Sequence, residues 1–267
     1  MATQSNARIR LPSVAGQFYP ADARQLDEQV SHLISQAQEP DTAMPKAVIA
    51  PHAGYIYSGP VAATAYKKVA ALKGRIERVV LLSPAHRYGF YGIAWSDVDY
   101  FRTPLGDIEV DRQAIEQLHE LDFVQSIEQA FDGEHALEVH LPFLQKALGN
   151  FKLVPFVVGQ TAAEQVASLL ELLWGDEKTL IVISSDLSHF HPYPEARQKD
   201  RQTAKAIENK AYESLNGHNA CGIYPVSGLL LLARQKNLEV ELVDLRNSGD
   251  TAGSHDSVVG YGAFLVH

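Results

Sequence analysis

The stretch AVIAPHAGYIYSG, residues 47–59, decides the fold, because a short apolar run ends on a proline and then presents His52. A second stretch, VVLLSPAH at residues 79–86, repeats this arrangement and presents His86. Ligands of open α/β proteins bind outside the carboxyl ends of the strands, and the fixed φ of proline sets the angle at which the chain leaves the sheet. Two histidines presented in this way predict a metal-binding pair. A single loop histidine is more often only hydrogen-bonded to the backbone.

The spacing of apolar residues along the rest of the chain predicts a single α/β domain over residues 1–267. Strands alternate with helices, which indicates a mostly parallel or mixed central sheet flanked by helices on both faces. The predicted strands are 46–50, 78–83, 92–96, 153–158, 179–184, 239–244 and 258–266, and the predicted helices are 23–38, 61–72, 111–121, 137–148, 161–173, 194–215 and 225–237.

Composition argues against several classes of protein. The formal net charge is −9 and no basic cluster is present, whereas nucleic-acid binding depends on clustered lysine and arginine. No apolar run approaches the roughly 20 residues of a membrane helix, and the N-terminal residues lack the apolar core of a signal peptide. The single cysteine, Cys221, excludes an internal disulfide, so we expect a cytoplasmic protein. We interpret Cys221 as a buried structural residue.

A third apolar run, TLIVISSD at residues 179–186, is followed by LSHFHP, so that Asp186 and His189 come directly after a strand. An aspartate three residues before a histidine can orient its imidazole, and the ordinary pKa of histidine suits acid/base catalysis near neutral pH. We therefore predict His189 as an acid/base residue oriented by Asp186. The alternative, in which Asp186 only caps a turn, stays open at this point.

The segment GEHALEVHLPF, residues 133–143, contains His135, Glu138 and His140. His135 and Glu138 share a helix face, but the two histidines are five residues apart and do not form a zinc-protease signature. Metal-bound imidazoles usually donate their other N–H to a neighbouring acceptor, so we predict a role for these three residues in supporting the metal ligands. The alternative is an ordinary amphipathic helix with an acidic first turn.

The segment 245–262 is rich in turn-forming residues and contains Asp250. Its carboxylate could complete a set of two histidines and one carboxylate, which is typical of non-heme Fe(II) sites. Aspartate beside glycine is also common in turns that bind nothing.

Seven motifs, taken in order, resemble the Memo family, which in prokaryotes is called AmmeMemoRadiSam system protein B. The resemblance runs from about Arg10 to the C-terminus. It implies a fold similar to the class III extradiol dioxygenases, whose iron is held by two histidines and a glutamate. The motifs are APHAGYIYSG, LLSPAH, SDVDYFRTPLGD, EHALEVHLPF, ISSDLSHF, CGIYPV and VVGYGAFLV.

The resemblance implies that His52 and His86 bind a metal, and that Asp186 and His189 are the active-site aspartate and histidine. In animal members the third ligand is a cysteine, which we place in the loop that matches NSGDTAG here. This loop has no cysteine, and Asp250 is the nearest candidate. Without a thiolate the expected metal is Fe(II), with manganese, copper and zinc as alternatives.

Two functions remain open from the sequence. In the first, an Fe(II) enzyme carries out an oxidative reaction on a small aromatic or oxygen-rich molecule. In the second, which the family name suggests, a non-catalytic metal- or peptide-binding protein acts with a radical-SAM protein and an AMMECR-type protein. We expect neither nucleic acid nor a membrane as a partner.

Overall fold

Nine strands of the chain form one mixed sheet in a computed structural model that describes residues 7–267. The first six residues of the predicted domain lie outside this range. The strands are β1 (Ile9–Arg10), β2 (Ala47–Ala50), β3 (Arg78–Pro84), β4 (Ile93–Trp95), β5 (Tyr100–Thr103), β6 (Gly106–Glu109), β7 (Val124–Ser126), β8 (Lys152–Val158), β9 (Thr179–Ser184), β10 (His189–His191), β11 (Val240–Asn247) and β12 (Val258–Val266).

The centre of the large sheet is parallel and its margins are antiparallel. Its strand order is β10-β12-β2-β9-β3-β8-β4-β7, and β11 pairs with β12. Strands β2, β9, β3 and β8 run parallel to one another. Strand β12 is antiparallel to β2, and β4 is antiparallel to β8. Strands β1, β5 and β6 form a separate small sheet. This architecture confirms the predicted mixed α/β fold.

The helices form two groups that pack against the sheet. Helices α1, α2 and α4 contact one another, and α5 packs against α7, which also contacts β3 and β9. No helix among the described residues is both long and apolar enough to cross a membrane. The helices are α1 (Ala23–Gln36), α2 (Tyr55–Val69), α3 (Arg112–Glu116), α4 (Leu141–Leu148), α5 (Ala163–Leu173), α6 (Tyr193–Glu208) and α7 (Ile223–Gln235).

Four predicted helices have clearly different bounds in the structure, including α4, which begins at Leu141 rather than at residue 137. Helix α2 begins at Tyr55 rather than at residue 61 and continues through Pro60, since the proline removes only one backbone donor from a helix buried by its neighbours. Helix α3 ends at Glu116, five residues earlier than predicted. Helix α6 ends at Glu208 rather than at residue 215, because the chain turns at Lys210, whose φ is +55°.

The sheet order brings three strand ends together. Strand β9 lies between β2 and β3, so the residues that follow all three strands emerge at the same edge. His52 follows β2, His86 follows β3, and Asp186 follows β9. The sequence therefore positions its candidate site through the order of the parallel strands.

The contact between α5 and α7 gives a test of the packing. A Cβ at Gly228 would lie 2.2 Å from Val166 Cβ, whereas a Cβ at Gly217 would meet no atom within 4 Å. We expect Gly228→Ala to lower the free energy of unfolding by about 1–3 kcal/mol through overpacking. Gly217→Ala should change it by no more than about 0.5 kcal/mol. Urea unfolding of both variants measures the difference, and equal midpoints would contradict the packing.

Candidate metal centre

Three histidines meet at the edge where β2, β9 and β3 end. One ring nitrogen from each of His52, His86 and His135 lies within 4.8 Å of the other two. The ring centroids are 5.2 Å apart for His52 and His86, 5.5 Å for His52 and His135, and 4.9 Å for His86 and His135. The structure thus brings the predicted histidine pair together and adds His135, to which the sequence analysis gave only a supporting role. We call these residues the three-histidine group.

The ring of His52 is fixed by a hydroxyl. Its Nδ1 lies 2.6 Å from Ser184 Oγ, and that hydroxyl donates to the carbonyl of Ala136 at 2.7 Å. Because the Ser184 proton is used in this way, the oxygen accepts the N–H of His52 Nδ1. Burial lowers the pKa of His52 well below its ordinary value. The ring is therefore neutral, and its Nε2 carries a free lone pair.

His140 acts on the same hydroxyl from the other side. Its Nε2 lies 2.8 Å from Ser184 Oγ, and its Nδ1 lies 2.8 Å from the hydroxyl of Tyr66. Burial lowers the pKa of His140 to about 3, so this ring is neutral as well. Its Nε2–H donates to Ser184, and Tyr66 donates to Nδ1. His140 therefore supports His52 through Ser184, without touching the three-histidine group itself.

The ring of His86 is fixed by a buried carboxylate. Its Nδ1 lies 3.0 Å from Glu134 Oε1, and its backbone N–H donates to Oε2 at 2.6 Å. The same carboxylate accepts the backbone N–H groups of His135 and Ala136 at 2.9 and 3.0 Å. Burial alone would raise the pKa of Glu134, but these hydrogen bonds hold it below its ordinary value. A carboxylate that accepts Nδ1–H leaves His86 Nε2 free, as in metal-bound histidines.

His135 enters the group from a turn that follows Gly133, whose φ is +68°. Its ring stacks on His86 with an interplanar angle of 19°, and it contacts Phe18 at a centroid distance of 4.8 Å. Burial lowers the pKa of His135 to about 4, despite the opposing effect of Glu134. The ring is neutral at neutral pH and offers a nitrogen lone pair.

The only cysteine of the chain lies beside the group. Cys221 Sγ is 3.4 Å from His52 Nε2. Burial raises the pKa of the Cys221 thiol, with a further contribution from Asp186. The sulfur is therefore protonated without a metal and can donate to Nε2. Two donors at about 2.0 and 2.3 Å from one tetrahedral ion lie roughly 3.5 Å apart, so the sulfur could join a metal held by His52.

Asp186 and His189 lie at this edge of the sheet, but the structure does not pair them as predicted. Asp186 Oδ1 accepts the backbone N–H of His52 at 2.8 Å, and Oδ2 lies 3.8 Å from His52 Nε2. Burial raises the pKa of Asp186 to about 7. Burial lowers the pKa of His189, and the nearby backbone of Leu187 opposes this effect. No hydrogen bond joins His189 to Asp186 within the described residues.

Asp250 lies outside the three-histidine group. Its Oδ1 accepts the hydroxyl of Tyr193, and its Oδ2 accepts the backbone N–H of Asn247 at 2.9 Å. These contacts belong to the turn that follows β11, so the carboxylate stabilises local structure in this position. The third side chain that lies near His52 and His86 is therefore the imidazole of His135, whereas Asp250 was predicted from the sequence as the third ligand.

Glu138 also has a different role from the predicted one. It accepts the backbone N–H groups of Ser13 and Val14 at 2.6 and 3.0 Å and the hydroxyl of Tyr19. It therefore ties the N-terminal segment to the domain and does not contact an imidazole of the group.

Three contributors were missed by reasoning from the sequence. Glu134 was not predicted to contact the metal ligands, although a glutamate directly before a histidine and after a glycine was a usable signal. Ser184 ends a strand that lies between those of His52 and His86, which only the sheet order reveals. Cys221 lies 169 residues from His52 in the chain, and no local pattern indicates that they meet.

The donor set fits a transition-metal ion. Imidazole nitrogens are good ligands for iron, copper and zinc, and a bound metal needs each ring to present an unprotonated nitrogen. In His52 and His86 the hydrogen bonds at Nδ1 leave Nε2 as that nitrogen. Three protein ligands leave coordination positions open for a substrate or water.

Known proteins with similar sequences agree in one family. A profile described as Memo-like protein matches residues 10–265. A MEMO1 family protein of Aquifex aeolicus is 37% identical over 95% of this chain and 97% of its own length. Another, of Saccharolobus solfataricus, is 35% identical over 94% of this chain and 97% of its own.

A solved structure supports the fold. The crystal structure of an uncharacterized protein from Escherichia coli K12 aligns with a TM-score of 0.50 and 16% identity, covering 82% of this chain and 99% of the other. A likeness at this identity concerns the fold alone. The profile and the relatives extend over nearly the whole chain, and they establish that the chain belongs to the Memo family.

Proposed function

We propose that this chain is an enzyme that binds one Fe(II) ion through His52, His86 and His135 and oxidises a small molecule at the open positions. The observation that carries this proposal is the convergence of three imidazole nitrogens within 4.8 Å. The outward hydrogen bonds of His52 to Ser184 and of His86 to Glu134 support it, because such contacts orient metal-bound imidazoles and raise their basicity.

Two further groups of the chain would handle protons at this site. A bound iron ion would supply Lewis acidity and a place for substrate and oxidant to meet. With its pKa raised to about 7 by burial, Asp186 can hold or release a proton beside His52 near neutral pH. Burial lowers the pKa of His189, which favours the neutral ring with one protonated and one unprotonated nitrogen. The unprotonated nitrogen is available to accept a proton from a substrate.

The non-catalytic alternative has one observation in its favour. Phe190, next to His189, is 77% exposed and has a φ of +62°. A bulky residue in this region of backbone is strained and often marks a functional segment. An exposed ring beside the site would suit contact with a peptide or a partner protein. The radical-SAM and AMMECR-type partners remain predictions.

The first test separates His135 from Asp250 as the third ligand. We expect His135→Ala to weaken Fe(II) binding by about tenfold or more, since even outer contacts of a metal site cost about 10–100-fold. Asp250→Ala should leave the affinity unchanged, because its carboxylate is used by Tyr193 and Asn247. Anaerobic titration with Fe(II), repeated with Zn(II) and Cu(II), measures the affinities. Loss of binding only in the Asp250 variant would restore the two-histidine, one-carboxylate arrangement.

The second test concerns the carboxylate behind His86. Glu134→Gln keeps the shape of the side chain but removes its charge. We expect it to lower Fe(II) affinity by about 10–100-fold. Glu128→Gln is a matched control, since Glu128 pairs with Arg10 and Ser96 away from the group. If the two variants bind Fe(II) equally well, Glu134 does not tune the site.

The third test separates acid/base chemistry from metal binding. We expect His189→Ala to retain its Fe(II) and to lose about 10²–10⁴-fold in turnover, the usual contribution of general acid/base catalysis. Oxygen consumption with catechol-type substrates and elemental analysis of the same samples give the two readouts. Loss of the metal in this variant would make His189 a ligand instead. Absence of turnover in the wild type with a full complement of iron would favour the non-catalytic alternative.

A further inference from the structure

A second candidate site lies in a cavity of about 270 Å³ between helix α6 and the end of β11. No member of the three-histidine group lines it. Its lining is rich in arginine, although the chain carries a net charge of −9. The lining residues are Arg197, Asp200, Arg201, Leu245, Arg246, Asn247 and Asp250.

Two of the arginines have no acidic partner. Arg197 and Arg201 are exposed, four residues apart on α6, and neither forms an ion pair with a carboxylate within residues 7–267. Like charges at this spacing share a helix face and repel each other. Arg197 lies over the ring of Tyr193 at 5.6 Å, which places its guanidinium beside the cavity. An anion between or above the two guanidinium groups would relieve this repulsion and form charge-assisted hydrogen bonds with both.

The third arginine, Arg246, is held in place by the carboxylate of Asp244. Arg246 Nε lies 2.9 Å from Asp244 Oδ1, and Nη2 contacts Oδ2. This fork-to-fork pairing leaves Nη1 free to face another group. The cavity therefore has one fixed and two free guanidiniums.

The two acidic residues of the cavity are occupied in different ways. Both oxygens of Asp250 are already hydrogen-bonded, to Tyr193 and Asn247. Asp200 is 2% exposed, and its Oδ1 accepts the backbone N–H of Ser188 at 3.0 Å. Its Oδ2 is buried and has no hydrogen-bond partner within the described part of the chain. This oxygen packs against Gly260, where a Cβ would lie 2.0 Å from it, so it faces β12 and offers no acceptor to a ligand in the cavity.

We propose that this cavity binds a phosphorylated small molecule, with the phosphate held by Arg197 and Arg201. Phosphate matches planar guanidinium groups in charge and geometry. The cavity is slightly smaller than the roughly 300–1,000 Å³ of pockets for drug-sized ligands, which suits a sugar phosphate. Asp200 also accepts the backbone N–H of Ser188, directly before His189, so the cavity wall is linked to the segment that carries the proposed acid/base residue.

Calorimetric titration of the full chain with ribose 5-phosphate and with inorganic phosphate tests the site. We expect saturable binding at one equivalent, weakened about tenfold or more in Arg197→Gln and in Arg201→Gln, since charge-assisted hydrogen bonds are worth about 1.5–3 kcal/mol. Arg75→Gln is the matched control, because Arg75 is exposed, distant in sequence and free of ion pairs within the described residues. It should bind the ligand as the wild type does. Melting temperatures equal to that of Arg75→Gln show that the other variants fold.

Further arms separate this site from its alternatives. His135→Ala should leave the affinity for ribose 5-phosphate unchanged, and a loss there would place the anion at the three-histidine group and overturn the proposal. An equal loss of affinity in Arg197→Gln, Arg201→Gln and the control Arg75→Gln would show only nonspecific attraction to positive charge and would overturn the proposal. Tighter binding of a phosphoserine peptide than of ribose 5-phosphate would replace the small molecule with a protein partner. The proposal is also overturned if neither ribose 5-phosphate nor inorganic phosphate binds saturably.

Discussion

The hydroxyl of Ser184 is the contact on which the arrangement of the site depends. It donates to Ala136, in the turn that carries His135, and it accepts from His52 and His140. One oxygen therefore joins the ends of two parallel strands to the turn that supplies the third imidazole. This geometry requires β9 to lie beside β2, because the last residue of β9 then reaches the ring that follows β2.

Burial then determines the chemistry of the site. Imidazoles taken out of water lose the charged form first, which lowers the pKa values of His52 and His135. A cluster of charged rings at these separations would repel itself, whereas neutral rings point lone pairs at a common point. The carboxylate behind His86, Glu134, stays ionised because four hydrogen bonds satisfy it. The hydrogen bonds and the burial of the group thus pre-organise its imidazoles before any metal binds.

The sequence predicts the parts of this site that depend on local pattern. His52 and His86 follow apolar runs and prolines, so the strand-end geometry is visible in the residues themselves. His135 lies in an irregular turn between two short 3₁₀ segments, where no periodicity indicates a direction. Asp250 was predicted as a ligand from its loop, but the loop's position follows from the pairing of Asn247 with Gly260 across β11 and β12. Such long-range pairing is not contained in a local motif.

The position of His189 shows how a distant helix can determine a candidate catalytic residue. The backbone of Gly260 accepts from Leu187 and donates to Ser188, each at 2.8 Å. A Cβ at Gly260 would lie 2.0 Å from Asp200 Oδ2, so only glycine lets α6 approach this strand. Asp200 in turn accepts the N–H of Ser188. The backbone before His189 is therefore held from β12 and from α6 together, which fixes the point at which the chain presents this residue.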